Sequence, residues 1–297
     1  MTEHVELAPA KINLTLRVLG RRGDGYHEVE SLVAFADCGD RVSIDTSSPS
    51  AADFAIRGPF AAGIDGPNLV VRAIDLVRQA HPALRLGAVR LDKQLPIAAG
   101  LGGGSADAAA VLRAIRRMNA DHHGPVDWPA LALRLGADVP VCLAACSAMM
   151  RGIGERLMWC PVPAFAAVLV NPQAPVPADK TRRVFQVLGA RALGDNFSAH
   201  ASSGDEPLPP LENLDQLIEL MRRNGNDLER PAISVMPSIA DVKAALLGID
   251  GCLHTQLSGA GPTCFGVFQG RDQAVQAAAM IAAAAPQWWV RAATIGG

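Results

Sequence analysis

The chain is expected to be an α+β protein of two domains, and three observations predict that class. Over the first half, strands and helices come in blocks and not in regular β-α alternation, which argues against a doubly wound sheet. The last part reads helix, strand, strand, helix, strand. With the strand and helix before it, this gives a ferredoxin-like order. Finally, 297 residues are enough to bury two modest cores.

Each element follows from its residue pattern. Residues 5–18 alternate as strands do, and 41–45 and 53–57 do so more weakly. Residues 68–80 place Val70, Ala73, Ile74 and Val77 on one helical face. Residues 88–91 form a strand leading into a glycine loop, and 105–118 and 129–135 follow as helices. Gly152, Gly154, Pro161 and Pro163 mark 152–163 as a turn region. Residues 164–170 are a continuous apolar strand and 179–188 a helix. The Ser/Gly/Pro/Asp-rich stretch 194–210 reads as a mobile loop. Then come amphipathic 211–222, helix 237–247, strands 252–257 and 263–268 around S-G-A-G, helix 272–284 and strand 288–293.

Composition narrows the function. A formal net charge of −2 argues against a nucleic-acid partner, whose basic footprint would show in the total. The apolar run 137–150 contains Asp138 and falls short of a membrane span, so no membrane partner is expected. The start M-T-E-H-V-E-L has no basic n-region and no long apolar h-region, which predicts no signal peptide. The six cysteines form no C-x-x-C pair. They read as reduced thiols of a cytoplasmic protein. Cys142 and Cys146 stand at helical spacing but have no second ligand pair nearby, so they read as core.

The most informative segment is L-P-I-A-A-G-L-G-G-G-S-A-D-A-A-A, residues 95–110. Gly100, Gly102, Gly103 and Gly104 let backbone N–H groups approach an anion closely. Ser105 is expected to cap the helix that follows, whose N-terminus aims unpaired N–H groups and a positive dipole end at the same place. A flexible turn before an ordinary helix has the same letters. The segment is not a Walker A loop, because no Lys-Ser/Thr pair follows the last glycine, and it lacks the Rossmann spacing.

Three glycine-bearing segments stand far apart: A-P-A-K-I-N-L, the loop just described, and L-S-G-A-G-P-T. Together they resemble the GHMP kinase superfamily. With G-D-G-Y-H-E-V-E-S-L, L-G-A-D-V-P and G-x-G-E added, the resemblance covers about residues 8–268 in blocks. It implies a two-domain GHMP kinase fold, with an ATP-binding mixed domain at 1–155 and a ferredoxin-like substrate domain at 156–297. It implies ATP as co-substrate, with magnesium. It implies a small-molecule substrate bearing a cytidine diphosphate group: a methylerythritol, phosphorylated on its tertiary 2-hydroxyl in the non-mevalonate isoprenoid route. A sister kinase for mevalonate or homoserine would need no aromatic residue for cytosine. A ligand sensor on the same fold would lose the base.

The resemblance also gives roles to residues. Pro96, Ile97, Ala98, Ala99, Gly100, Leu101, Gly102, Gly103, Gly104, Ser105 and Ala106 would hold ATP. Lys11 would be a catalytic cation, although an edge-strand lysine with its head in water fits the strand equally. Asp138, a carboxylate entering an apolar run, must be paired; it would be the general base, with a helix cap as the alternative. Tyr26 would stack on the cytosine and His27 bond its edge, which both can do only from a turn. Asn13, on the face of Lys11 by period two, would bind the erythritol. Thr181 and Phe185 share a helix face, and Phe185 would close the sandwich unless that face is simply core. The family often has Ser-Ser-Asn where this chain has Ser105-Ala106-Asp107. That leaves the magnesium ligands unassigned. It also requires Asp107 to point away from the phosphates.

Overall fold

The computed structural model describes residues 3–47, 54–64, 68–193 and 210–297. Its elements in chain order begin with β1 (Glu3–Asn13), β2 (Arg17–Arg21), β3 (His27–Asp45), β4 (Phe54–Arg57), α1 (Leu69–Ala80), β5 (Ala88–Asp92), α2 (Gly103–Met118), α3 (Trp128–Leu135) and α4 (Val139–Ala144). There follow β6 (Ala148–Gly152), β7 (Arg156–Trp159), β8 (Phe165–Asn171), α5 (Lys180–Leu188), α6 (Leu214–Asn224) and α7 (Glu229–Val235). The chain closes with α8 (Ser238–Leu247), β9 (Cys252–Leu257), β10 (Cys264–Phe268), α9 (Arg271–Ala284) and β11 (Trp289–Ile295). The class is α+β, as expected.

These elements form two compact units, each built from several chain segments. The first comprises the described residues of Met1–Lys11, Cys38–Ile97 and Gly102–Ala145; the second those of Ile12–Asp37, Ala98–Leu101 and Cys146–Gly297. The strand β3 serves both. Its early residues pair with β2 and β6, and its last five, from Arg41 to Asp45, pair with β5.

In the first unit, β4 lies parallel to β5, and β5 antiparallel to the end of β3. Helix α1 is capped by Asn68, which accepts from the Val70 N–H at 2.8 Å, and buries Val70, Ala73, Ile74 and Val77. It packs on α2, and α2 on α4. Helix α2 begins at Gly103, with Gly102 as its left-handed N-cap at φ 63°. Ser105 is therefore the third helical residue and not the cap. Glycine's poor helix propensity favours a later start. The buried face of α2, from Ala106 to Met118, overrides that preference.

In the second unit, β8 to β11 form an antiparallel sheet in the order β11-β8-β10-β9. Numbered from β8, that is 4-1-3-2 with crossover helices, the ferredoxin-like arrangement. Its core joins Val168 and Val170 to Ile239, Val242, Leu246, Phe268, Ala274 and Ile281. Several elements depart from expectation. The early part of β3 escaped notice because Ser31 to Ala36 are all buried, and a strand covered on both faces loses its alternation. The turn expected over 152–163 is a β6–β7 hairpin, whose turn needs only Gly152 at φ 79° to Glu155. Helix α7 contains Pro231 at its third position, where a missing N–H costs nothing. Nearly all of the loop expected at 194–210 lies outside the described residues.

Candidate active site

The glycine loop turns its carbonyls and its amides in opposite directions. In the second unit, the Thr263 N–H donates to the Ala99 carbonyl at 3.1 Å, and Ser258 Oγ to the Gly100 carbonyl at 2.9 Å. Ser258 Oγ itself accepts from the Asn13 N–H at 3.2 Å. A trans peptide points its C=O and the next N–H opposite ways. The N–H groups of Gly100 and Leu101 thus face away from the 258–263 turn. No hydrogen bond runs from any backbone N–H of residues 98–105 to a described residue. A run of unpaired amides at a helix start is an anion site by geometry and dipole.

In the first unit, Lys11 and Asp138 meet. Lys11 Nζ donates to Asp138 Oδ2 at 3.0 Å; the lysine side chain is 6% exposed and the carboxylate 38%. The edge-strand alternative for Lys11 therefore falls. Asp138 stands at the N-cap position of α4 but makes no side-chain cap bond there, so its carboxylate is spent on Lys11. A Cβ at Gly102 would sit 3.2 Å from Lys11 Cβ, so the lysine stem runs against the start of α2. The carboxylate is reachable by a substrate hydroxyl, while the cation behind it is not exposed. Nearby, Cys142 is buried and its thiol is pushed up to about 12 by burial and then by the charge of Asp138. That thiol stays protonated and is core. Cys146 is exposed and lies beyond the end of α4, so the two cysteines do not share a helix face.

Sequence reasoning missed a second ionic group in this unit. Lys93 Nζ reaches Asp40 Oδ2 at 2.5 Å and Asp107 Oδ2 at 2.7 Å, with all three side chains nearly closed to solvent. Asp40 Oδ1 accepts from the Gln94 and Leu95 N–H groups at 2.6 and 2.8 Å, which fixes the entry to the loop. Asp107 thus points into the interior, as its neighbourhood to an anion site required. The one signal was its position, a charge on the first turns of an alanine-rich helix; Lys93 itself reads as an ordinary polar strand end.

The residues expected to read a base lie in the second unit. The 22–26 turn is closed by the Arg22 N–H on the Tyr26 carbonyl at 2.7 Å and by the Tyr26 N–H on Asp24 Oδ1 at 3.1 Å. Tyr26 stands 60% exposed at that turn. His27, the first residue of β3, stacks on Phe185 with centroids 4.3 Å apart. Burial, then Arg21, hold the His27 imidazole below its ordinary value, so it is neutral at pH 7. Asn13 Nδ2 donates to Ser31 Oγ at 2.7 Å. Thr181 is exposed on α5 and Phe185 half-buried against His27.

Among the described residues no three carboxylate, imidazole or thiolate groups gather into a metal cage. Asp107 is taken by Lys93, and Ala106 offers no oxygen. With Asp138 held by Lys11, Ser105 is the hard oxygen donor left in the first unit's loop. That sparse set fits magnesium, which keeps water and takes ligands from phosphates in nucleotide sites.

Comparison with known proteins bears on this geometry. A family model described as GHMP kinases N terminal domain matches residues 68–145, and one described as GHMP kinases C terminal matches 208–287. A protein of Rhodopseudomonas palustris (strain BisA53), named 4-diphosphocytidyl-2-C-methyl-D-erythritol kinase, is 44% identical over 308 residues, covering 99% of this chain and 100% of that one. A protein of the same name from Methylobacterium radiotolerans is 45% identical, with 98% of each chain covered. A crystal structure of 4-(cytidine 5'-diphospho)-2C-methyl-D-erythritol kinase shares 34% identity and a TM-score of 0.75, with 99% of each chain covered. A homoserine kinase from Cytophaga hutchinsonii shares the fold at 18% identity and a TM-score of 0.64, covering 100% of this chain and 96% of that one. Among the described residues no helix is long and apolar enough to cross a membrane.

Proposed function

The chain belongs to the GHMP kinase family, and on that premise we propose that it phosphorylates the tertiary 2-hydroxyl of 4-diphosphocytidyl-2-C-methyl-D-erythritol. The γ-phosphoryl donor is ATP, and the step belongs to the non-mevalonate isoprenoid route. The observation that carries the chemistry is the Lys11–Asp138 pair at 3.0 Å, with the lysine stem against Gly102 at the start of α2.

Phosphoryl transfer asks mainly for positioning and charge stabilisation. The amides of the 96–106 loop and the start of α2 hold the phosphates. Asp138 takes the proton of the substrate hydroxyl as its oxygen bonds to the γ-phosphorus and the bond to the β-bridging oxygen breaks, releasing ADP. Lys11 orients Asp138 through their 3.0 Å contact and offsets the charge that develops. Magnesium, when bound, would supply further charge neutralisation, with Ser105 as the chain's own oxygen toward it. Tyr26 stacks on cytosine, neutral His27 bonds its edge beside Phe185, and Asn13 and Thr181 meet the rest of the substrate. By role, residues 1–155 carry the ATP loop and also Asn13, Tyr26 and His27 toward the substrate, and 156–297 add Thr181 and Phe185. No nucleic-acid or membrane partner is invoked, and the reduced thiols suit the cytoplasm.

The test is Asp138→Asn, which keeps shape and removes proton acceptance. It should lower kcat by roughly two to four powers of ten, the scale of general-base loss, and leave ATP affinity unchanged in calorimetry. A kcat within about threefold of wild type would make Asp138 a structural residue.

A further inference from the structure

We infer that Lys180 is a positioning residue for the phosphate loop, holding two backbone carbonyls so that the loop amides stay turned toward ATP. The inference rests on the nucleotide role proposed for that loop. Lys180 is the first residue of α5 and is 6% exposed. Its Nζ donates to the Ala98 carbonyl at 2.9 Å and also to the Gly261 carbonyl. It makes no ion pair with a described residue. The exposed arginines beside it, Arg182 and Arg183, pair with Asp179 instead.

An ammonium group buried against carbonyls alone is costly, because no opposite charge offsets its lost hydration. Burial accordingly holds this lysine down at about 8. The lysine contributes geometry. Ala98 has φ 53°, a left-handed conformation that a non-glycine residue keeps only when its surroundings impose it. The carbonyl of that same residue is the one Lys180 holds. With the Thr263 N–H on Ala99 and Ser258 Oγ on Gly100, three successive carbonyls are tied down. Peptide planarity then presents the N–H groups of Ala99, Gly100 and Leu101 on the opposite side. Lys180 alone among the three donors bridges the loop to the 258–263 turn from a third element.

The experiment uses full-length Lys180→Met, which keeps the buried stem and removes the donors. ATP affinity should fall about tenfold, the loss of charge-assisted hydrogen bonds to the loop, seen as a raised Kd in calorimetry and a raised KM for ATP. The KM for the cytidylated substrate should stay within about twofold. Lys180→Gln, neutral and one methylene shorter, reaches one carbonyl and should raise the ATP Kd about threefold; it carries the test if Lys180→Met is insoluble. A lowered Tm with unchanged ATP Kd, or both KM values rising together, would overturn the inference. Gly102→Val separates the two ideas, since φ 63° strains a β-branched residue there and its Cβ would press on the Lys11 stem at 3.2 Å. ATP binding lost in Gly102→Val but kept in Lys180→Met sinks only the role of Lys180. Binding kept in Gly102→Val sinks the loop reading itself.

Discussion

Tyr26 and His27 are neighbours in sequence and opposites in environment. The tyrosine ring stands 60% exposed on a tight turn, while the imidazole lies against Phe185 at 4.3 Å. An exposed ring can accept a base on its face; a half-buried neutral imidazole can exchange hydrogen bonds with that base's edge. Tyr26→Ala should therefore cost about 1–3 kcal/mol of substrate binding, the scale of base–aromatic stacking. ATP binding should be spared, and Tyr26→Phe should lose far less because stacking needs the ring. Equal turnover of cytidylated and non-cytidylated acceptors by wild type would point to a sister kinase. At this scale the sequence was readable where a residue type clashed with its surroundings. A carboxylate entering an apolar run demanded a partner, and Asp138 finds it in Lys11, which the strand pattern alone left free to keep its head in water. Lys93 and Lys180 gave no such signal, since both sit in polar stretches and become buried only through contacts distant in sequence.

At the scale of elements, the start of α2 is tied to the end of β5 through Lys93, with Asp40 from β3 completing the group. One cation faces two buried carboxylates. Burial, against the pull of Lys93 and helped by Asp40, lifts Asp107 to about 8. Asp107 Oδ1 has no hydrogen-bond partner among the described residues. Lys93→Met would leave the Asp40 carboxylate uncompensated beside a protonated Asp107 and should destabilise the fold by about 3–5 kcal/mol, as when one partner of a buried pair is removed. Urea denaturation measures this; a loss under about 1 kcal/mol would mean that water or protonation relieves the site. Helices with a clean apolar stripe, such as α1, were legible to within a residue. Strand β3 was not, because burial on both faces erases alternation, and the start of α2 was not, because packing outweighed local propensity.

For the molecule as a whole, acid should act through two histidines. His27 and His254 are both held below the ordinary imidazole value, each chiefly by burial. The unfolded chain takes up these protons near pH 6.5, while the folded chain resists until lower pH. Their contribution is intact above about 6.5 and is lost as pH falls below it. Asp107 works in the opposite sense, since the folded state keeps a proton that the unfolded chain releases at lower pH. Comparing urea midpoints between pH 7.5 and 5.5 isolates one histidine: His254→Gln should decline less steeply than wild type, and parallel declines would refute its role. The 4-1-3-2 sheet order also has a consequence for synthesis. Strand β8 is buried at every position and carries no charge, yet both of its neighbours, β10 and β11, are translated later. Roughly 90 residues separate it from β10, so at ~5–20 residues per second its two edges stand unpaired for about 5–20 s. A ribosome that stalls in that interval releases a chain with a bare, uncharged strand open on both sides, the form most ready to pair with another copy of itself.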